Sequence, residues 1–306
     1  MTNSMEHPIN TERAYLARII EQHALPLSIV IAGIAIGVGL YTSGASDSRA
    51  ISVAAEIAPQ EGVELPVQWG DLGKRLVEVG AIDAEAFASL YEEGGELPRE
   101  IEQLLKGNTV GRLKITPENS GVLLNLLWAL GLANKNPILE DKKEMMNPDY
   151  GGDGPPGSGF ASTGGWTIAK GDAMEHYNMH ALVSLSPDQQ KLVDRVARGI
   201  YRPCCNNSVH FPDCNHGMAM LGLLELLASQ GVSEEEMYKA ALVVNSYWFP
   251  DTYQTIAKYV AQKGVEWNSL EPRQILGAKY SSASGYAKIA ASIETRQSGG
   301  GSQCGV

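Results

Sequence analysis

Apolar positions from about residue 69 onward recur at helical intervals, and no stretch shows the strict alternation of a half-buried strand. Leu72, Leu76 and Val77 place a helix over 71–80, and 83–91 and 98–105 follow as short helices. Thr116-Pro117-Glu118 supplies a cap with proline in the first turn and opens an apolar helix ending near Gly131. Asp172-x-x-Glu175 is a capping pair for a helix that carries His176 and His180 four residues apart, hence on one face. Ser186-Pro187-Asp188 opens a helix to about residue 200, and residues 217–229 have the continuous apolar character of an enclosed helix. Ser233-x-x-Glu236 is a capping box for 234–246, Asp251 caps 252–262, and 271–293 is helical with a break near 281–285. The pattern predicts an all-α fold, a helical array or bundle.

Hydropathy also divides the chain. Residues 25–41 (LPLSIVIAGIAIGVGLY) carry no charge and reach the short end of what spans a bilayer as a helix. They read as a transmembrane anchor, with a signal peptide cleaved near Ser43-Gly44-Ala45 as the alternative. Arg13 and Arg18 precede the span, so the positive-inside rule puts 1–24 in the cytoplasm and the bulk of a single-pass protein outside it. Residues 42–66 read as a stalk, 67–146 as a helical subdomain, and 147–165 as a Gly/Pro-dense loop without the carboxylate spacing of an EF-hand. Residues 166–296 form a second helical domain, and 297–306 a flexible Gly/Ser tail bearing Cys304.

A formal charge of -11 argues against nucleic acid, which rewards clustered Lys and Arg. Four cysteines are too few for a disulfide scaffold in 306 residues. Cys204, Cys205 and Cys214 instead fall in one loop with His210 and His216, directly before the enclosed helix. Pro203 and Pro212 keep that loop out of helix. Asn215 or His216 is placed as the helix N-cap, with Cys214 beside a terminus that favours a thiolate. The expected arrangement is a Cys/His loop docked on a buried helix.

Thiolate and imidazole are ligands of copper and zinc, and Met218 and Met220 add thioethers suited to copper(I). The candidate ligands are Cys204, Cys205, His210, Cys214 and His216, with His176 and His180 helping and Asp213 orienting an imidazole. Adjacent cysteines are awkward for a closed zinc site, whose ligands usually stand two to four residues apart. A disulfide from Cys204 or Cys205 to Cys214 is the competing chemistry, since thiols outside the cytoplasm tend to oxidise. A cysteine nucleophile has no accompanying oxyanion hole or nucleophile elbow.

Pro203-Cys204-Cys205, His210, Asp213-Cys214, His216-Gly217 and the turn Gly231-Val232-Ser233-Glu234 together resemble bacterial secreted proteins with a PCYCGC motif. The resemblance covers residues 203–238, and this chain has fewer cysteines than that motif, with Met218 and Met220 where further ones are expected. The function expected is extracytoplasmic binding of copper or zinc for storage, sensing or delivery, with a metal-donor or metal-acceptor protein as partner and Cys304 as a transfer thiol. The alternative is a thiol–disulfide or structurally stapled envelope module without metal.

Overall fold

A computed structural model describes residues 56–298 except 93, 95 and 151–153. The anchor expected at 25–41, the segment 1–24 and Cys304 therefore lie outside the described residues. No described helix is long and apolar enough to cross a membrane.

The fold is built on two helices that are apolar on every side. Helix α4 (Ser120–Ala133) is buried throughout 126–133, and α6 (Asn215–Ser229) throughout 217–228. A helix without a polar face is stable only when surrounded, and here the two lie against each other. Their backbones touch through glycine: a β-carbon on Gly131 would stand 2.0 Å from the Met218 carbonyl oxygen, and one on Gly222 2.4 Å from that of Leu127. Around this pair stand α1 (Leu72–Glu78), α2 (Ala84–Ser89), α3 (Arg99–Lys106), α5 (Pro187–Gly199) and α7 (Glu234–Trp248). Helix α8 (Pro250–Ala261) and the short α9 (Pro272–Ile275), α10 (Ala278–Ser281) and α11 (Ala283–Ser298) complete the described chain.

One core runs from Leu65 to Leu276, so the two helical regions separated at 147–165 share their interior. Segments read as stalk and loop belong to it. Ile57 and Leu65 are buried, and β1 (Val63–Glu64) pairs antiparallel with β2 (Lys114–Ile115). Trp128 Nε1 donates to the Ser162 carbonyl (2.7 Å), and Trp166 Nε1 to that of Ala81 (2.8 Å), so two indoles sew the Gly/Pro segment to the core.

Two of the expected caps hold, while α4 opens after Asn119 and α8 after Phe249, neither with a side-chain cap, rather than at Thr116 and Asp251. Ser186 and Gln189 make the reciprocal box of α5, and Ser233 accepts from Glu236 N at the start of α7. The predicted helix through His176 and His180 is a correction. Asp172 does cap, but only one 3₁₀ turn, Ala173–Glu175. Asn178 then adopts φ 57°, and its Oδ1 accepts from Asn136 N. His180 pairs instead with the chain leaving α4, accepting from Lys135 N at its carbonyl and donating its N–H to Ala133 O. Satisfying that exit outweighs one more helical turn.

The same exit carries a buried polar network. Glu225, on α6, is fully enclosed and accepts from Asn134 Nδ2 (3.0 Å) and Asn136 Nδ2 (2.6 Å). Neither amide can turn over. Asn134 Oδ1 accepts from the backbone of Leu182 and Val183, and Asn136 Oδ1 from Ile138 N and Gln190 Nε2. Two locked donors require two acceptor oxygens, which a carboxyl group supplies and a side-chain amide does not.

Candidate metal centre

The cysteine loop is tied at its neck and along its flank. Tyr201 and Ser208 form a bridge, Val209 N donates to Ile200 O, and Tyr201 N to Leu276 O. Farther out, Ala283 N donates to Cys205 O and Ser284 N to Asn206 Oδ1, so the α10–α11 junction holds the loop's tip. Ser162 N donates to Asp213 O from the Gly/Pro segment.

Inside the loop lies Arg202, whose side chain is completely buried. Its Nη1 donates to Asn207 O (2.8 Å), and its Nη2 to Asp213 Oδ1 (2.8 Å), Cys214 Sγ (3.4 Å) and Phe211 O (3.4 Å). The guanidinium lies against the first turn of α6, where a β-carbon on Gly217 would meet Nη2 at 2.7 Å and Cζ at 2.8 Å. Gly217 is thus the seat of Arg202. Asp213 serves that guanidinium and Asn207, not an imidazole as the sequence suggested. Burial alone would depress Arg202, but Cys214, Cys205 and Asp213 together raise its pKa.

Cys214, not Asn215 or His216, is the N-cap of α6: its sulfur accepts from Gly217 N at 3.3 Å. Cys204 Sγ is 3.5 Å from Cys214 Sγ and 3.4 Å from Cys205 Sγ, and all three sulfurs lie within 4.8 Å of one another. Contacts from Cys204 and Cys205 hold the Cys214 thiol well below its ordinary range against the cost of burial, and Arg202 adds to the effect. Cys204 is pushed up by its contacts with Cys205 and Cys214. The trio therefore carries its first negative charge on Cys214, under a fixed cation and a helix terminus. Cys204 is exposed and the other two are half-buried.

The histidines go three ways. His216 sits between the Trp248 and Phe249 rings with Nδ1 buried and unpartnered, and burial lowers its pKa. His210 turns away from the sulfurs, its Nδ1 against Glu144 and its Nε2 2.9 Å from Asp194 Oδ1 and 2.7 Å from Arg198 Nη2. With Asp141 and Glu144 it makes a second group placed to hold a cation. His176 and His180 meet each other, Nδ1 to Nε2 at 3.2 Å, with His176 Nε2 on Lys170 O, and belong to neither group. Met218 and Met220 are buried in the core.

Sequence reasoning missed Arg202, Asp141, Glu144, Asp194 and Arg198. The local signals were an arginine directly before a Pro-Cys pair, two acids three apart at 141/144, and an acid and a base four apart at 194/198. No protein-family model matches the chain, and no curated protein or solved structure does either.

Proposed function

We propose that this chain binds a thiophilic transition-metal ion, copper(I) or zinc, through Cys204, Cys205 and Cys214, and serves in metal handling outside the cytoplasm. The observation that carries the reading is the convergence of three sulfurs within 4.8 Å at a helix N-terminus beside a buried guanidinium. Four thiolates at about 2.3 Å around a tetrahedral ion stand about 3.8 Å apart, and three around a trigonal ion about 4.0 Å. The contacts of 3.4 and 3.5 Å need only a small opening to reach either.

Three thiolates suffice for copper(I). Zinc wants a fourth donor, and His216, two residues beyond Cys214 with its Nδ1 orphaned, is the nearest candidate in sequence. Anchorage through 25–41 and delivery to a partner protein complete the proposal and come from the sequence, as does kinship with PCYCGC-motif proteins. A second reading has its own support: an exposed Cys204 thiol 3.5 Å from a Cys214 thiolate is poised for thiol–disulfide exchange.

Metal content of the full chain, purified anaerobically and in air, separates the two. Stoichiometric copper or zinc that protects the cysteines from alkylation and is lost when Cys204, Cys205 and Cys214 are changed to Ser supports metal handling. A Cys204–Cys214 bridge with no metal under either condition favours the exchange reading.

A further inference from the structure

Outside the cysteine site, the most heavily charged interior position is His210. The imidazole is 2% exposed, yet three carboxylates and a guanidinium surround it. Asp141 and Glu144 come from one tight turn, in which Glu144 N donates to Asp141 O. Asp194 and Arg198 come from successive turns of α5 and are paired to each other. The group opens into a cleft of about 330 Å³ lined by Asp141, Gln190, Asp194, Arg198 and His210.

Glu144 faces Nδ1 and accepts its hydrogen bond, while Nε2 faces the donor-only guanidinium of Arg198 and so presents its lone pair to the cleft beside Asp194. A carboxylate on the far nitrogen is the usual way a ligating histidine is oriented and made more basic. Two donors at about 2.1 Å from one ion and at right angles are about 3.0 Å apart, close to the 2.9 Å between Nε2 and Asp194 Oδ1.

Charge supports the same assignment. Three carboxylates against one guanidinium leave two negative charges around the imidazole, the complement of one divalent cation. The neighbouring Lys191 is paired with Asp188. Arg198 Nη2 meanwhile touches both Nε2 and Asp194, and its side chain is half exposed.

We propose that His210 Nε2, Asp194 and Asp141, with Glu144 behind the imidazole, form a second metal site for a divalent cation of the manganese or zinc kind, and that Arg198 competes for the ion's place. The donors are one imidazole and carboxylate oxygens, a set that suits such ions and disfavours copper(I). The site shares no ligand with the cysteine trio and does not rest on the reading given to it.

Manganese(II) is the probe, because it shuns thiolates and the cysteines will not compete for it. Its binding to the full chain is followed by loss of the free-ion paramagnetic resonance signal. One ion per chain is expected. Arg198→Gln should bind at least about tenfold more tightly once the repulsive cation is gone. Asp194→Asn should bind at least about tenfold more weakly, with an unchanged circular dichroism spectrum. A gain of affinity in the first variant cannot come from misfolding. No saturable binding in either wild type or Arg198→Gln, or an affinity that neither substitution changes, overturns the site.

Discussion

Glu225 makes the stability of this protein depend on pH in a direction opposite to that of most acidic groups. Burial pushes its carboxyl from 4.5 up to about 8, against the pull of the two asparagine amides. The folded chain therefore holds a proton that the unfolded chain releases above its ordinary value. Stability from this group is complete below about pH 4.5, declines as pH rises, and is lost once pH passes about 8. The full span is worth about 5 kcal/mol at 1.36 kcal/mol per pH unit, of which about 4 kcal/mol falls between pH 5 and 8.5.

Glu225→Gln removes the titration without changing the shape. It also sets an N–H against one of two donors that cannot turn over, at a cost of about 1–3 kcal/mol at every pH. Urea unfolding of both proteins from pH 5 to 8.5 should show wild type ahead at pH 5, with the difference shrinking by about 4 kcal/mol and changing sign before pH 8.5. A difference that stays constant across that range would refute the account of Glu225.

Three further outcomes follow from the site and its platform. Arg202→Met strips the counter-charge from Asp213 and Cys214; unfolding free energy should fall by about 3–5 kcal/mol, and Arg202→Lys should not restore it, because one ammonium cannot reach all four acceptors. In pH-resolved alkylation with mass mapping, Cys214 should react below the ordinary thiol range while Cys204 does not; simultaneous modification would contradict the charge placement. Gly222→Ala should cost about 1–3 kcal/mol in thermal unfolding by forcing α4 and α6 apart, whereas Gly121→Ala, an exposed glycine of α4 with open space around it, should gain about 0.5–1 kcal/mol.

The helices were legible because their signals are local. Ser186 and Ser233 announce α5 and α7, and the unbroken apolar run announces α6 as an enclosed helix. The break expected near 281–285 is a longer one, with α9, α10 and α11 separated at Leu276-Gly277 and at Ser282. What stayed hidden depends on partners distant in sequence. His180 leaves helix because α4 ends beside it, 46 residues earlier by its Asn134 bridge. His210 leaves the cysteines because Glu144 and Arg198 claim its two nitrogens, and neither lies within the loop. Proximity of Cys204, Cys205 and Cys214 was readable from spacing; the buried arginine that charges one of them was not, since burial of a charge shows only when its acceptors have been assembled.

The seating of Arg202 on Gly217 joins ligation to folding. The sulfurs converge beside a guanidinium seated on the first turn of α6, a helix whose later turns pack against α4. An unfolded chain offers the same three cysteines without their convergence. A metal ion that distinguishes the two states adds to stability by mass action, about 2.7 kcal/mol at a free concentration one hundred times its dissociation constant. With the proposed ion bound, the melting temperature of the whole helical body would gauge occupancy at a loop on its surface.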